Sequence, residues 1–386
     1  MCYMKIKELV KDFSKELARL SSRLFWVFKL DKSKVFLMNF DGTIIGHDAK
    51  AIVDYCHDKG IDMDFVWGTK DKEYAKTMKY DGVRFVPVDS LRGWYEMLTA
   101  KTLLYNINPP SYLSFRKDQI LINTWHGFIF KAVGKYIGKI DRRQFNTTTC
   151  FISDAAFFTS KAIRDAFEYE GVVLECGTPR TDILFSDKRD SCAVMVKKKL
   201  GVPSEKKLAL YAPTFRDDFE YSESYLDVMR LRQSLSARFG GEWEVLLKVH
   251  PMIAKKYSSE ENGGIDVSWY EDTQELLCAS DVMVTDYSSI SWEFALLKRP
   301  VFIYAYDAEE YEASRTLFVP MEQWPFPIAV SNAELEKRVA EFDEGAYVRR
   351  VEAFQKEKGC FDCGRACQTV IRYIFSKGAK PLRDAE

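Results

Sequence analysis

An α/β architecture of two tandem doubly wound domains is what this sequence predicts, and three observations predict it. Short apolar strands alternate with helical stretches, the alternation restarts after a charged, turn-rich interval, and 386 residues with 47% hydrophobic content suffice for two cores. Strands that alternate with helices build parallel sheets covered on both faces. Two such domains in tandem turn the loops after their strands toward each other across a cleft. In sheets of this kind ligands bind outside the carboxyl ends of the strands.

The N-terminal segment, residues 1–30, reads as an amphipathic helix. Ile6, Leu9, Val10, Phe13, Leu17, Leu20 and Leu24 recur at three- and four-residue spacing, and Lys5, Lys7, Lys11, Lys15, Arg19 and Arg23 fill the other face. Over residues 1–34 there are nine Lys/Arg against four Asp/Glu. Such a helix can lie on an anionic membrane surface, or it can pack on the domain core.

The first domain, residues 31–185, opens with "SKVFLMNFDG" as a buried strand, followed by "DAKAIVDYCHDKG" as a helix closed by Gly60 and "DMDFVWGT" as a second strand. "GVRFVPV", "KTLLYNI" and "DQILINTWHG" continue the series. The interval "ECGTPRTDILFSDKRDS" is rich in turn formers and charge and serves as the connection. The second domain, residues 186–386, carries "KKLALYAPTFRDD", "WEVLLKVHP", "GIDVSWY", "SDVMVTDYSS" and "RPVFIYAYD" as its strands.

Bulk properties narrow the function. With 56 basic and 57 acidic residues the formal net charge is -1, which gives no electrostatic reason to expect a nucleic-acid partner. No run approaches the eighteen or so apolar residues of a membrane span. Nine cysteines, an odd number, with no signal peptide ahead of them, fit a reducing cytoplasm. Cys360, Cys363 and Cys367 form a C-x2-C-x3-C group, but a closed metal site wants a fourth ligand and none follows nearby, so no metal site is expected. "VFLMNFDGTI" resembles the strand-end motif of haloacid-dehalogenase-type phosphatases, yet Asn39 stands at the nucleophile position and an amide cannot form an aspartyl-phosphate. Asp41, Gly42 and Thr43 are read instead as the turn into the first helix.

The chemistry is expected in the loops that follow the strands. His126 in "NTWHGFIFKAVGKY" ends a strand, precedes Gly127 and has Lys131 five residues on. His250 in "LLKVHPMI" repeats this arrangement in the second domain, two residues after Lys248. An imidazole is suited to take a proton from an attacking hydroxyl because its ordinary pKa lies near neutrality. In "VTDYSSISWEFALLKRP" a strand ends at Thr285, Asp286, Ser288 and Ser289 follow, and a helix runs through Phe294 to Leu297. Amides and hydroxyls at such a helix start favour a phosphate, although capping alone also explains the serines. Arg216 in "APTFRDD" and Arg180 in "GTPRTD" are guanidinium groups matched to phosphate oxygens. Together the loops point to a nucleotide diphosphate ligand.

"TWHGFIFKAVGK", "GTPRTDIL", "LYAPTFRDD", "LKVHP" and "SDVMVTDYSSISWEFALLKRPVFIYAYD" resemble, in order and spacing, the motifs of the CDP-glycerol glycerophosphotransferases that build teichoic acids. The resemblance implies a GT-B-like fold and a CDP-glycerol or CDP-ribitol donor, with no obligatory cofactor. It also implies transfer of a polyol phosphate to a hydroxyl of a membrane-bound, lipid-linked glycan, with CMP leaving, by an enzyme on the cytoplasmic side of the membrane. Carried onto this chain, His126 is the general base near the acceptor, while His250 and Arg216 hold the diphosphate. Thr214, Lys248, Thr285, Asp286, Ser288, Ser289, Arg180 and Lys131 surround the phosphates, and Glu293 reaches the nucleotide ribose. Three departures bear on the acceptor and the polyol: Phe128, Ile129 and Phe130 stand where the family usually has a small residue and a proline, Glu293 stands where Asp is common, and "FDGTIIGHDAK" lacks an Asp-Asn-Pro. A nucleotide-sugar glycosyltransferase shares the fold and the diphosphate loops, and a non-catalytic member of a wall-polymer assembly complex is the rival from another class.

Overall fold

The computed structural model describes residues 13–42, 45–107, 109–138, 145, 147–214, 226–249 and 263–382. Two parallel sheets organise them. The first has the order β3-β2-β1-β4-β5-β6-β7, built from β1 (Asp31–Met38), β2 (Asp64–Thr69), β3 (Val83–Pro87), β4 (Ala100–Tyr105), β5 (Ile120–Asn123), β6 (Cys150–Ser153) and β7 (Val172–Glu175). The second has the order β10-β9-β8-β11-β12-β13, from β8 (Lys207–Tyr211), β9 (Trp243–Leu247), β10 (Ile265–Asp266), β11 (Val282–Thr285), β12 (Val301–Tyr304) and β13 (Ile328–Ala329). The apolar runs explain this parallel pairing: Val35 to Met38, Leu208 to Tyr211 and Val282 to Thr285 are buried on both faces, as only strands covered by helices on each side can be.

Each sheet reverses its strand order once, at β1/β4 in the first and β8/β11 in the second. Those reversals open crevices at the carboxyl ends of the strands, and they fix where the site must be sought. After β1 the chain makes a short 3-10 turn, Phe40–Gly42, closed by the Gly42 amide on the Asn39 carbonyl at 2.8 Å. The helix His47–Asp58 then buries Ala49, Ile52, Val53 and Cys56 against Val35, Leu37, Phe65 and Trp67. The last helix, Ala366–Ser376, returns to this same core through Cys367, Val370, Ile371 and Ile374. Its first amides are capped by Asp182, with Ala366 and Cys367 donating to the carboxylate at 3.0 and 2.8 Å.

The three aromatic and aliphatic residues after Gly127 join the two halves. Phe128, Ile129 and Phe130 are buried in the core of the second sheet. The Phe128 ring stacks on Trp292 at 4.0 Å and 9°, and Phe130 packs on Trp324 at 4.4 Å. The first domain thereby plugs into the second right beside the cleft.

The N-terminal segment is helical over residues 13–22 and continues as the 3-10 turn Arg23–Val27. It is held by polar contacts. The Ser114 amide donates to the Ser22 hydroxyl at 2.9 Å, the Trp26 indole donates to the Ser114 carbonyl at 3.1 Å, and Arg116 donates to the Phe25 and Phe28 carbonyls at 2.8 and 2.7 Å. Its apolar side faces outward: Phe13, Leu17, Leu20, Leu24 and Val27 are 56–80% exposed. Ile6, Leu9 and Val10 of the expected helix lie outside the described residues. No helix among the described residues is long and apolar enough to cross a membrane.

Candidate active site

The turn after β5 is built to present an imidazole. The Asn123 side-chain oxygen accepts from the Trp125 amide at 2.9 Å, and the Thr124 amide donates to the Tyr105 carbonyl at 2.8 Å. These bonds bend the chain so that Trp125 adopts φ 56°, and its ring stacks on His126 at 4.2 Å. His126 itself is exposed to the cleft. Gly127 has φ +145°, and a Cβ there would stand 2.2 Å from the Ser289 hydroxyl oxygen. Glycine is therefore required twice, for the backbone angle and for the close approach of the second domain.

The tautomer of His126 follows from its partner. Its Nδ1 lies 3.1 Å from the Asn106 carbonyl oxygen, which can only accept, so Nδ1 carries the proton and Nε2 keeps its lone pair for the cleft. Asn106 is itself fixed, its side-chain oxygen accepting from the Phe40 amide at 2.8 Å. The protein packed round the cleft holds the His126 pKa down to about 4, opposed by the Asn106 bond and aided by the charges of Arg180 and His47. The ring is neutral at pH 7, in the form that can accept a proton.

Across the cleft, Ser289 precedes the helix Ile290–Ala295 but makes no side-chain capping bond, so its hydroxyl is not used up by the helix start. It stands instead against Gly127. Ser288 is half-buried beside it, its carbonyl accepting from the Ser291 hydroxyl at 2.9 Å. At the β8/β11 reversal Asp286 accepts from both the amide and the hydroxyl of Thr214, at 2.8 and 2.7 Å, which ties the two strand ends together. Thr285 is buried and donates to the Ala212 carbonyl at 2.6 Å. Lys248 donates to the Tyr270 carbonyl, and burial lowers its pKa. Lys131 bridges to Leu317 and places its ammonium 5.4 Å from the Tyr311 ring centre. His250 and Arg216 lie outside the described residues.

Arg180 and Glu293, both expected at the donor, meet each other. The Arg180 guanidinium, 2% exposed, donates to Glu293 at 3.0 and 2.8 Å and to Asp48 at 2.7 Å. Gln274 holds the second oxygen of Glu293. Burial alone would lower the Arg180 pKa, but Asp48 and Glu293 outweigh it and raise it beyond the ordinary guanidinium value. One arginine thus joins the start of the His47 helix to the helix that follows Ser289. Behind it sit two further carboxylates: burial raises Asp154 well above its ordinary range, and raises Asp362 to about 6 against the donors Thr181 and Thr178.

A cavity of about 400 Å³ opens between the halves, lined from the first domain by Gly42, Thr69 and Lys70 and from the second by Lys248, Trp269 and Tyr270. The cysteine group does not converge: Cys363 is exposed, Cys367 is buried, and no cluster of three or more His, Cys, Asp or Glu side chains among the described residues could hold a metal. Sequence reading missed three residues that frame His126, namely His47, Asp48 and Asn106. His47 carried a signal, being another of only four histidines and lying in the loop after a strand.

The profile of the CDP-Glycerol:Poly(glycerophosphate) glycerophosphotransferase family matches residues 20–376. The chain is 28% identical to a teichoic acid glycerol-phosphate transferase of Staphylococcus aureus (strain NCTC 8325 / PS 47), over 95% of this chain and 100% of that one. It is 27% identical to the teichoic acid poly(glycerol phosphate) polymerase of Bacillus subtilis (strain 168), over 96% of this chain but only 53% of the polymerase, so it spans about half that relative's length. The solved structure of the wall teichoic acid polymerase TagF superposes with a TM-score of 0.81 at 26% identity, covering 97% of this chain and 96% of that one. A further structure of TagF, from a crystal soaked with CDPG, matches with a TM-score of 0.79 at 26% identity and covers 97% of both chains. With a GT-B-like pair of parallel sheets, a cleft at both strand-order reversals and a family match over nearly its whole length, the chain belongs to the CDP-glycerol:poly(glycerophosphate) glycerophosphotransferases and is an enzyme of that family.

Proposed function

We propose that this enzyme transfers glycerol phosphate, or the related ribitol phosphate, from a CDP-polyol to a hydroxyl of a membrane lipid-linked glycan. CMP leaves, and the product is teichoic acid or a related cell-surface polymer. The observation that carries the reading is His126, with Nδ1 tied to Asn106 and Nε2 open to the cleft opposite Ser289. In the step itself His126 Nε2 takes the acceptor proton while the acceptor oxygen bonds to the β-phosphorus. The bond from that phosphorus to the oxygen bridging to the α-phosphate breaks, and CMP departs with the electron pair.

The acceptor is bound by the first domain, residues 31–185, and the CDP-polyol by the second, residues 186–386. Ser288, Ser289, Thr285, Thr214 and Asp286 shape the phosphate end at the β8/β11 reversal, with Lys248 and Lys131 beside it. Arg216 and His250, just beyond β8 and β9 in sequence, supply charge and hydrogen bonds to the diphosphate. Arg180 and Glu293 serve the donor by fixing the loop that carries Ser288 and Ser289. CDPG in crystals of a relative supports the donor class. The outward apolar side of residues 13–27, with Lys15, Arg19 and Arg23 in the same segment, supports peripheral binding to the cytoplasmic face of the membrane, where a lipid-linked acceptor resides.

The test is CMP release by the purified protein offered CDP-glycerol, CDP-ribitol and a panel of UDP-sugars, with a lipid-linked disaccharide present. Release of CMP from one CDP-polyol is expected and names the donor. Release of UDP alone would overturn the reaction and leave only the fold.

A further inference from the structure

A second imidazole stands near His126, on the first residue of the helix that follows β1. The Phe40 ring packs against both, with ring centres 5.3 Å from His47 and 5.8 Å from His126, so one aromatic ring links the two histidines. His47 is half-buried, and among the described residues neither of its ring nitrogens has a hydrogen-bond partner. Its placement is enforced from behind. The Asn39 side-chain nitrogen donates to the Gly46 carbonyl at 2.6 Å, Gly46 takes φ +146°, and His47 takes φ +52°, an angle few side chains adopt. The neighbouring Asp48 is engaged by Arg180 and does not reach back to the ring. Two buried amide atoms at the same strand ends, Asn39 Oδ1 and Asn106 Nδ2, also lack partners among the described residues, so this corner carries polar capacity that they do not use.

A neutral imidazole offers one N–H and one lone pair. His126 has committed its N–H to Asn106 and offers the cleft only the lone pair of Nε2. A hydroxyl that gives its proton to Nε2 must still have its oxygen aimed at phosphorus, and a donor to that oxygen fixes its direction without blocking the attack. Of the two imidazoles that pack on Phe40, only His47 has an N–H to spare. We propose that His47 is an acceptor-binding residue whose ring N–H holds the oxygen of the attacking hydroxyl beside His126 Nε2. This rests on the phosphotransfer reading above.

The test uses two substitutions that both tolerate a positive φ. His47→Gly removes the ring, and His47→Asn keeps an N–H donor on a shorter arm. Steady-state kinetics with CDP-glycerol and a lipid-linked disaccharide should show the acceptor KM of His47→Gly rising about tenfold, the loss expected for one neutral hydrogen bond. His47→Asn should recover part of it, and the dissociation constant for CDP-glycerol should stay at the wild-type value in both. An unchanged acceptor KM would overturn the proposal, as would a fall in kcat that merely tracks a lower Tm, or a weakened donor in place of a weakened acceptor. If the wild-type chain releases no CMP from any CDP-polyol, the underlying reading has failed instead, and the two failures are told apart before any variant is made.

Discussion

At the scale of single residues the site is a set of commitments made by neighbours. The Asn106 carbonyl chooses the tautomer of His126, and the crowded cleft keeps the ring neutral. A base acts in its unprotonated form, so activity is kept above its pKa and lost as pH falls through it. With the His126 pKa held to about 4 instead of 6.5, kcat/KM should stay level from pH 7.5 down to about 5. A loss centred near 6.5 in a pH series would refute the environment described for this ring. Asp362 behaves in the opposite sense. Its pKa is raised to about 6, chiefly by burial, so the folded chain binds that proton more tightly than the unfolded chain does. The group favours folding at acid pH, and the benefit is lost as pH rises through about 6. Asp362→Asn keeps the side-chain oxygen that accepts from Thr178 and Thr181 while discarding the charge. It should raise the unfolding free energy at pH 8 by roughly 1 to 3 kcal/mol and leave it nearly unchanged below pH 4, as read by urea titration. An equal gain at both pH values would mean that the charge is not the cause.

At the scale of elements, local pattern foretold what local pattern can. The strands around β1, β2, β4, β8, β9 and β11 and the helix after β1 lie where the apolar runs place them, because a strand buried on both faces needs no distant partner to be recognised. The strands β6 and β7 were not read from the sequence; β7 has no buried residue of its own and is supported mainly by its neighbour β6 in the sheet. Nor was the role of Phe128, Ile129 and Phe130. In sequence they are an unexpected apolar insertion, and only the second domain, more than 150 residues on, shows that they are a plug. Phe128→Ala removes a buried ring from that plug and should destabilise the protein by about 3 to 5 kcal/mol in thermal or urea unfolding. A cost below about 1 kcal/mol would show that the Phe128–Trp292 stack does not hold the halves together. The pairing of Arg180 with Glu293 escaped sequence reading for the same reason. Each looked like a ligand for substrate until the fold brought together residues 113 positions apart.

At the scale of the whole molecule, two sheets, a cleft and an outward-facing apolar segment are arranged around one task. The two-domain α/β plan was legible from alternation alone, and the family from five motifs in order. The return of the helix Ala366–Ser376 to the first sheet was not, because nothing in an amphipathic helix says which of two cores it will cover. The N-terminal segment left two options open in sequence: its polar tethers and Phe25 hold it to the first domain, while Phe13, Leu17, Leu20, Leu24 and Val27 stay exposed. Deleting residues 1–28 should abolish co-sedimentation with anionic vesicles and leave Tm within a few degrees. Binding that persists after the deletion would place the membrane contact elsewhere.

The proposed phosphotransfer turns on His126 as its base. Its most direct test is His126→Ala, measured for kcat with CDP-glycerol and a lipid-linked acceptor and for donor affinity by calorimetry. A fall in kcat of at least about 100-fold, with the CDP-glycerol dissociation constant unchanged, is the predicted result. Turnover at the wild-type rate, or a loss that appears only in donor binding, would contradict it.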